Sequence, residues 1–257
     1  MTQFILSALT LALSIGCSAG SIIPPDGGII MEQPTVQTVP QAVRQAFLQA
    51  GGQSEANEQI YEYQPGFTCS PVPEDVFERI YGLSYKQDCT VPLNDLRYVQ
   101  VLYTDFNGEE QSGELICNRQ IAQDLLEIFY ELHAAEYPIE KIRLVDEYDA
   151  DDTPSMLDNN TSCFNFRPVE GSKNLSKHAL GLAIDINPFY NPYVTYPKGQ
   201  IRISPQGSEP YADRSQDFPY RIDKNDLCYQ LFTEHGFTWG GNWKTLKDYQ
   251  HFQKSEE

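Results

Sequence analysis

Apolar residues recur along this chain at two spacings, and each spacing predicts a different kind of element. Between positions 119 and 137 they return every three or four residues, which is typical of a helix with one buried face. The residues of that face are Ile121, Leu125, Ile128, Phe129 and Leu132. The same spacing predicts shorter helices over 73–83 and over 223–235, the second ended by Gly236.

Alternating apolar and polar positions predict strands elsewhere. Residues 96–104 alternate in this way, Asn107-Gly108 is typical of a tight hairpin turn, and residues 113–117 supply the returning strand. Another strand is predicted over 141–148. Strands joined by a hairpin and separated by helices indicate an α+β domain, with a small antiparallel sheet and packed helices.

We predict that this domain covers residues 61–257. The chain has 257 residues, of which 40% are hydrophobic, and this is enough for one sizeable core. Residues 18–60 are rich in proline, glycine and polar residues and are predicted to be a flexible tether. Within that tether a short helix is predicted over 42–50, ended by Gly51-Gly52.

The first residues predict export. An apolar stretch over 4–15 is too short to span a bilayer, so residues 1–17 are interpreted as a signal peptide. The run Leu13-Ser-Ile-Gly-Cys17 is similar to a bacterial lipobox. Lipidation of Cys17, which would attach the chain to a membrane, and cleavage without lipidation both stay open. We therefore expect the protein in the bacterial cell envelope, in the periplasm or on the outer surface.

Charge and cysteine content narrow the classes of partner and site. A formal net charge of −18 argues against binding to nucleic acid, because phosphate neutralisation needs a basic surface. Five cysteines follow Cys17, and Cys69 and Cys89 flank a compact segment that makes them the expected disulfide pair. The absence of a C-x-x-C spacing in the sequence disfavours a zinc site built from cysteines.

Two short runs carry the candidate chemistry. In SKHALGLAIDINP, His178 precedes Asp185 by seven residues, Gly181 permits a turn between them, and LAIDI alternates like a strand. In DYQHF, Asp248 precedes His251 by three residues, so a helical turn or tight loop would place them side by side. Two histidines and one aspartate form a three-ligand set of the kind that holds catalytic zinc and leaves one position open.

The remaining carboxylate of these runs, Asp248, is a candidate general base for a water molecule at that open position. A closed structural zinc site is disfavoured because such sites use four ligands. The other two histidines, His133 and His235, stand at the ends of predicted helices and are interpreted as caps or surface residues.

The first run, from Ser176 to Asp185, matches the S-x-H-x-x-G-x-A-x-D signature of the M15 zinc peptidases, which include D-alanyl-D-alanine carboxypeptidases and endolysin-like L-alanyl-D-glutamate peptidases. The tail from Trp239 to Phe252 and the upstream run Phe164-Asn-Phe-Arg167 also resemble that family. The resemblance covers roughly residues 95–254 and implies a hedgehog-like peptidase fold, with zinc in a surface cleft.

The resemblance also implies residue roles. His178, Asp185 and His251 would bind zinc and Asp248 would be the general base. Arg167 would contact the substrate or its oxyanion, and Ser176 and Trp239 would contact the substrate. These substrate-contact residues are Arg167, Ser176 and Trp239. The substrate would be a peptidoglycan peptide, cut by a protein that we expect to be monomeric.

Two alternatives stay open at this stage. The first is a non-catalytic, tethered module that binds the cell wall or zinc without cutting, although such a module would need no base at Asp248. The second concerns residues 187–223, which are rich in proline, tyrosine and glycine. This segment is interpreted either as a mobile flap over the cleft or as a poorly ordered surface insertion. In the flap interpretation Tyr190, Tyr193 and Tyr196 are candidates for substrate contact.

Overall fold

A four-stranded antiparallel sheet and one long helix form the centre of the fold. A computed structural model describes residues 40–52, 60–169 and 171–255 of the chain. The sheet has the order β1-β2-β3-β4. Its strands are β1 (Tyr61–Gln64), β2 (Phe67–Pro71), β3 (Leu96–Thr104) and β4 (Glu110–Asn118). The predicted hairpin is confirmed, with Leu96 opposite Asn118 at one end and Thr104 opposite Glu110 at the other.

The predicted long helix is confirmed as α3 (Arg119–Ala134). It begins directly after β4 because the Asn118 side chain accepts a hydrogen bond from the backbone N–H of Gln120 and so caps the first turn. Every residue of its predicted apolar face is buried, and the face packs into the core against the sheet. Burial of this face supplies most of the stability of an amphipathic helix in a domain.

Two shorter helices, α1 (Gln41–Gln49) and α2 (Glu74–Ile80), contribute to a second hydrophobic cluster. Phe47 of α1 is fully buried, and its ring packs edge-on against Phe77 of α2 with centroids 5.4 Å apart. The helix predicted over 42–50 therefore exists, but it belongs to the folded unit rather than to a tether. The predicted signal peptide, Cys17 and the rest of the tether up to residue 39 lie outside the described residues.

The strand predicted over 141–148 is wrong beyond its first two residues. Only β5 (Lys141–Ile142) forms a strand, and it pairs in parallel with β6 (Asn160–Thr161). A 3₁₀ turn over Val145–Tyr148 follows. Beyond Ile142, hydrogen bonds to side chains take the place of hydrogen bonds between strands. The carboxylate of Asp146 accepts hydrogen bonds from the N–H and the hydroxyl of Ser84, both at 2.9 Å, and α4 (Asp152–Leu157) comes next.

The predicted disulfide between Cys69 and Cys89 is also wrong, because both are free thiols. Cys69 lies on β2 and packs against the core beneath the sheet. Cys89 packs against the second cluster, and its Sγ lies 3.8 Å from the carbonyl oxygen of Val91. The two thiols therefore belong to different hydrophobic clusters.

Residues 187–223 are an ordered part of the fold, so their interpretation as a poorly ordered surface insertion is wrong. They contain β8 (Tyr193–Thr195), β9 (Arg202–Ser204) and α5 (Glu209–Ala212). The two strands join β11 (Lys247–Asp248) in a sheet of order β11-β8-β9. Asn187, Asn191 and Ser208 are fully buried and hydrogen-bonded, which replaces the solvation that a surface loop would keep.

The last elements bring the C-terminal run back to the core. The helix predicted over 223–235 is confirmed as α6 (Leu227–Glu234), and it begins later than predicted because Asp226 caps it by accepting a hydrogen bond from the N–H of Cys228. Strands β10 (Thr238–Trp239), β12 (His251–Gln253) and β7 (Ala183–Asp185) then form a sheet of order β10-β12-β7.

The fold is therefore mixed, with helices packed on small sheets that are mostly antiparallel, as the predicted α+β class requires. Among the described residues, no helix is long and apolar enough to cross a membrane.

Candidate metal centre

Three side chains from the two motifs meet at one point. Strands β7 and β12 pair antiparallel with Asp185 directly opposite His251. His178 comes from a 3₁₀ turn over His178–Leu180 that ends at Gly181, whose φ of 67° lies in the left-handed region. A Cβ at Gly181 would also lie 2.6 Å from the backbone nitrogen of Asn118. Glycine is required there, and the sequence prediction of a turn at this position is confirmed.

The three side chains present their donor atoms as a triangle. Nε2 of His178 lies 3.1 Å from Nδ1 of His251 and 3.3 Å from Oδ1 of Asp185, and the last two atoms are 2.9 Å apart. A tetrahedral zinc ion with ligands at about 2.0–2.1 Å requires its donor atoms to be about 3.3 Å apart. The arrangement therefore fits one small cation, as the grouping of these three residues indicates.

The second nitrogen of each imidazole is also engaged. Nδ1 of His178 lies 2.6 Å from the carbonyl oxygen of Cys163, which can only accept a hydrogen bond, so Nδ1 carries the proton. Nε2 of His251 lies 3.0 Å from Oε1 of Gln253. In the neutral rings, both nitrogens that face Asp185 then carry lone pairs. This is the donor set, with its outer hydrogen bonds, that a metal ion requires.

Electrostatics favour an ionised Asp185. Burial alone would raise its pKa, but the charge and hydrogen bond of His178, together with those of His251, hold the pKa of Asp185 far below its usual range. Burial disfavours the charged form of His251, yet the hydrogen bond and charge of Asp185 outweigh this and raise the pKa of His251 to about 9. Positive charge is thus stabilised at the centre of the triangle.

Asp248 stands beside the triangle on a different sheet. It lies on β11, where its backbone pairs with Tyr193 of β8, and three residues of chain bring the strand to His251. Asp248 therefore ends β11 and His251 begins β12, and the two residues between them form a tight loop rather than a helical turn. The backbone at Gly240 passes close to Asp248. Glycine permits this contact, because a Cβ at position 240 would lie 2.6 Å from the carbonyl oxygen of Asp248.

The carboxyl group of Asp248 is buried, and its Oδ1 has no hydrogen-bond partner in the described part of the chain. Burial raises the pKa of Asp248 to about 7; the positive charges of His251 and His178 oppose this rise, and the negative charge of Asp185 adds to it. A buried acceptor without a hydrogen-bond donor costs desolvation free energy, unless the group is protonated or another molecule donates to it. The geometry is that of a group able to accept or deliver a proton beside a cation site.

Two of the residues predicted to contact the substrate, Ser176 and Trp239, are buried in the structure. Ser176 is buried, and its Oγ accepts a hydrogen bond from the N–H of His178 at 3.2 Å, so it shapes the ligand turn. Trp239 is 5% exposed, packs in the core and donates its indole N–H to the carbonyl oxygen of Tyr249 at 2.8 Å. With so little surface exposed, Trp239 is part of the core, and its prediction as a substrate contact is corrected.

Arg167 is partly exposed and pairs with Asp152 at the start of α4. Asp152 also accepts a hydrogen bond from the amide of Asn165 at 2.9 Å, which fixes the carboxylate that holds the guanidinium. The backbone connects Arg167 to the ligand turn, since its carbonyl oxygen accepts from the N–H of Ser176. Arg167 is therefore held in an ion pair within the chain, and its predicted contact with a substrate stays a prediction.

The remaining predictions concern tyrosines and histidines. Tyr190 packs among Phe106, Phe189, Tyr211 and Tyr220, Tyr193 is partly buried on β8, and Tyr196 is 50% exposed. His133 faces Glu110 at 3.0 Å and His235 faces Asp124 at 3.1 Å, each at the end of its helix. Neither belongs to the candidate metal group, as their positions at helix ends predicted.

Sequence reasoning missed four residues at the centre. Trp243, rather than Trp239, lies against it, with its ring centroid 5.3 Å from that of His251. The carbonyl of Cys163 and the side chain of Gln253 hold the two imidazoles. Gln250 is buried, and its amide interacts with Asp248. Gln253 stands two residues after a ligand on a strand, so the period of two along β12 was a signal for it.

Comparison with known families gives a match in the C-terminal part of the chain. A family model described as D-alanyl-D-alanine carboxypeptidase, within the M15 peptidases, matches residues 170–254. The matched segment contains all three candidate ligands and Asp248, and it begins after Arg167. The predicted resemblance to M15 peptidases is thereby confirmed over residues 170–254, and it supports a hydrolytic enzyme. Comparisons with curated proteins and with solved structures gave no match.

Proposed function

We propose that this protein is a zinc-dependent peptidase that hydrolyses an amide bond in peptidoglycan stem peptides, of the D-Ala-D-Ala carboxypeptidase or the L-Ala-D-Glu endopeptidase type. The observation that carries the proposal is the triangle of His178, Asp185 and His251 donor atoms, with the unpartnered carboxyl oxygen of Asp248 beside it. The family match over residues 170–254 supports the class of reaction. The hedgehog-like fold and the surface cleft remain part of the same proposal.

Zinc fits the donor set better than harder cations do. Two imidazoles and one carboxylate are ligands that zinc accepts, whereas calcium and magnesium prefer oxygen alone. Three protein ligands leave a position for water, as catalytic zinc sites require. When bound, zinc would lower the pKa of a water molecule and polarise a carbonyl group.

Asp248 supplies proton transfer in this proposal. Its carboxylate accepts the proton of the attacking water, and the resulting carboxylic acid delivers a proton to the leaving amine. A general base works best when its pKa is near the operating pH, and burial moves the carboxyl of Asp248 in that direction. The neighbouring amide of Gln250 interacts with this carboxyl group and would limit its orientations.

Arg167 is proposed to bind a carboxylate of the substrate or the oxyanion that forms during hydrolysis. Asp152 and Asn165 would hold its planar guanidinium in one orientation, which suits a fork of fixed geometry. Arg167→Lys keeps the charge and loses the fork. An oxyanion role predicts a lower kcat with little change in KM, whereas a carboxylate role predicts mainly a higher KM. A lower Tm with unchanged kinetics would make the ion pair with Asp152 the whole role of Arg167.

Export and attachment to the cell envelope complete the proposal, and they rest on the sequence of the first 17 residues. If Cys17 is lipidated, the native protein partitions into the detergent phase and Cys17→Ser does not. A native protein that stays in the aqueous phase with its N-terminus elsewhere would leave secretion without an anchor.

The decisive experiment incubates the purified protein with defined muropeptides and identifies the products by mass. Cleavage that a chelator abolishes, that added zinc restores, and that Asp248→Ala abolishes would support the peptidase. The masses of the two products identify the bond that is cut. Zinc binding without any cleavage would instead support a module that binds the cell wall or zinc but does not cut.

A further inference from the structure

The guanidinium of Arg214 is held inside the segment 187–223 by uncharged oxygen atoms. It donates to the carbonyl oxygens of Tyr190 at 3.3 Å, Tyr211 at 3.2 Å and Ile222 at 2.5 Å, and to the amide oxygen of Asn191 at 3.3 Å. These acceptors come from both ends and the middle of the segment. The planar guanidinium, with its five N–H donors, thus links parts of the segment that would otherwise need separate contacts.

The same guanidinium also contacts the chain that carries Asp248. Its central carbon lies 4.3 Å from the ring centroid of Tyr249, which is a cation–π distance. The N–H of Tyr249 donates to the carbonyl oxygen of Pro192 at 3.3 Å, and Asp248 pairs with Tyr193 across the β11–β8 ladder. Segment 187–223 therefore holds residues 248 and 249 through their backbone and, at Arg214, through a side chain.

We propose that segment 187–223 is a brace that fixes the carboxylate of Asp248 beside the metal centre, and that Arg214 is the positioning residue that locks this brace. The proposal rests on the role given to Asp248 above. Arg214 acts through Tyr249 and the β8–β11 pairing, and it contacts neither the ligands nor the substrate in this role.

A cation is costly to bury among neutral acceptors, so its presence indicates a specific task. Burial lowers the pKa of Arg214 to about 10, which still leaves the side chain charged at neutral pH. Removing the guanidinium would take the donor from three carbonyl oxygens and one amide oxygen in part-buried hydrogen bonds, which would loosen the segment at both ends. The ligand triangle lies on β7, β12 and the turn after Ser176, so it would keep its own support.

The test compares Arg214→Met with Arg214→Lys and with Arg221→Met as a matched control. Arg221 lies on the same segment, but its guanidinium pairs with Asp223 at 2.9 Å and with the carbonyl oxygen of Gln216. For Arg214→Met we expect full zinc content, a kcat lower by about 10- to 100-fold, and a KM within about twofold, because small displacements of a catalytic group have effects of this size. Arg214→Lys should recover part of the loss, and Arg221→Met should resemble the wild type.

Hydrogen exchange at residues 247–250 gives a readout that does not depend on activity. We expect faster exchange there in Arg214→Met and unchanged exchange at the ligand strand 183–185. Unchanged exchange at 247–250, or faster exchange with an unchanged kcat, would overturn the proposal. If the wild type cleaves no wall peptide, the proposed function fails, while the exchange experiment still decides whether Arg214 holds the strand. If Arg214→Met does not fold, Arg214→Lys and Tyr249→Leu carry the same comparison.

Discussion

Two strand pairs build the candidate centre, and each contributes one aspartate with a different electrostatic character. The β7–β12 pair belongs to the core and places Asp185 opposite His251, where neighbouring imidazoles hold the pKa of that carboxyl far below its usual range. The β8–β11 pair joins the 187–223 region, through β8, to the strand that carries Asp248, whose pKa burial raises to about 7. A carboxylate that stays ionised suits a cation, and one that titrates near neutrality suits proton transfer.

The comparison teaches that the proposed metal ligands and the proposed base rest on separate parts of the fold. The ligand strands are fixed by core packing, with Ile184 and Phe252 fully buried between them. Asp248, the proposed base, lies instead on the β11-β8-β9 sheet, and the guanidinium of Arg214 lies over the ring of the next residue, Tyr249. Substitutions should therefore separate the two functions.

The largest effect is expected from removing a ligand. His178→Ala, Asp185→Ala and His251→Ala should each weaken zinc binding by about 10²-fold or more and abolish turnover, because even residues that only support a ligand contribute 10- to 100-fold. Elemental analysis and competition with a chelator measure the loss. His235→Ala is the matched control, since that histidine pairs with Asp124 and lies outside the triangle. Full zinc retention in His178→Ala and His251→Ala would refute the site.

Removing the base should leave the metal in place. Asp248→Ala is expected to keep one zinc per chain and to lose about 10²- to 10⁴-fold in kcat, the usual contribution of a positioned proton acceptor. Kinetics on a defined muropeptide and elemental analysis of the same sample measure both quantities. Asp217→Ala is the control, because its side chain is 99% exposed. Near-normal turnover in Asp248→Ala would reduce Asp248 to a residue that orients its neighbours.

The sequence predicted the ligand side of this comparison better than the side that holds the base. His178, Gly181 and Asp185 lie within eight residues, so a turn and a strand period were enough to bring the histidine and the aspartate together. The support of Asp248 depends on β8, more than fifty residues earlier in the chain, and no local pattern shows that pairing. Long-range partners of this kind are set by tertiary packing.

The same limit explains two specific errors. Trp239 and Trp243 belong to one short motif, but Trp239 pairs with Phe252 on the core side while Trp243 lies against His251. Which of the two rings faces the site depends on the register in which β10 pairs with β12. The short motif alone does not specify that register. Residues 143–148 were predicted to be extended because apolar and polar positions alternate, yet the bonds between Asp146 and Ser84, 62 residues apart, turn the chain instead.

A smaller effect should follow from loosening a ligand without removing it. Gln253→Leu keeps the size of the side chain and removes the acceptor for Nε2 of His251. We expect zinc affinity to fall by about 10- to 100-fold, with kcat at saturating zinc changed much less. Gln230→Leu on the outer face of α6 is the matched control. An affinity equal to that of the wild type would show that strand pairing alone orients His251.

The smallest effect is expected at Asp226, a carboxylate outside the candidate centre. Its titration affects the stability of the fold without involving the residues of the site. Burial raises the pKa of Asp226 to about 6, against the lowering effect of the hydrogen bond from Tyr137. Between pH 4 and 6 the unfolded chain has released this proton while the folded chain still binds it. The free energy of unfolding therefore loses a contribution as the pH rises through this window.

Asp226→Asn removes that titration and keeps an oxygen that can cap α6. The shift from 3.8 to about 6 sets an upper limit of about 3 kcal/mol, and we expect about 1 to 2 kcal/mol because the site keeps some solvent contact. Urea unfolding of both proteins at pH 4, 5, 6 and 7, with chelator present, measures it. The variant should gain stability relative to the wild type as the pH rises. A difference that stays constant from pH 4 to 7 would show that Asp226 titrates like an exposed carboxylate.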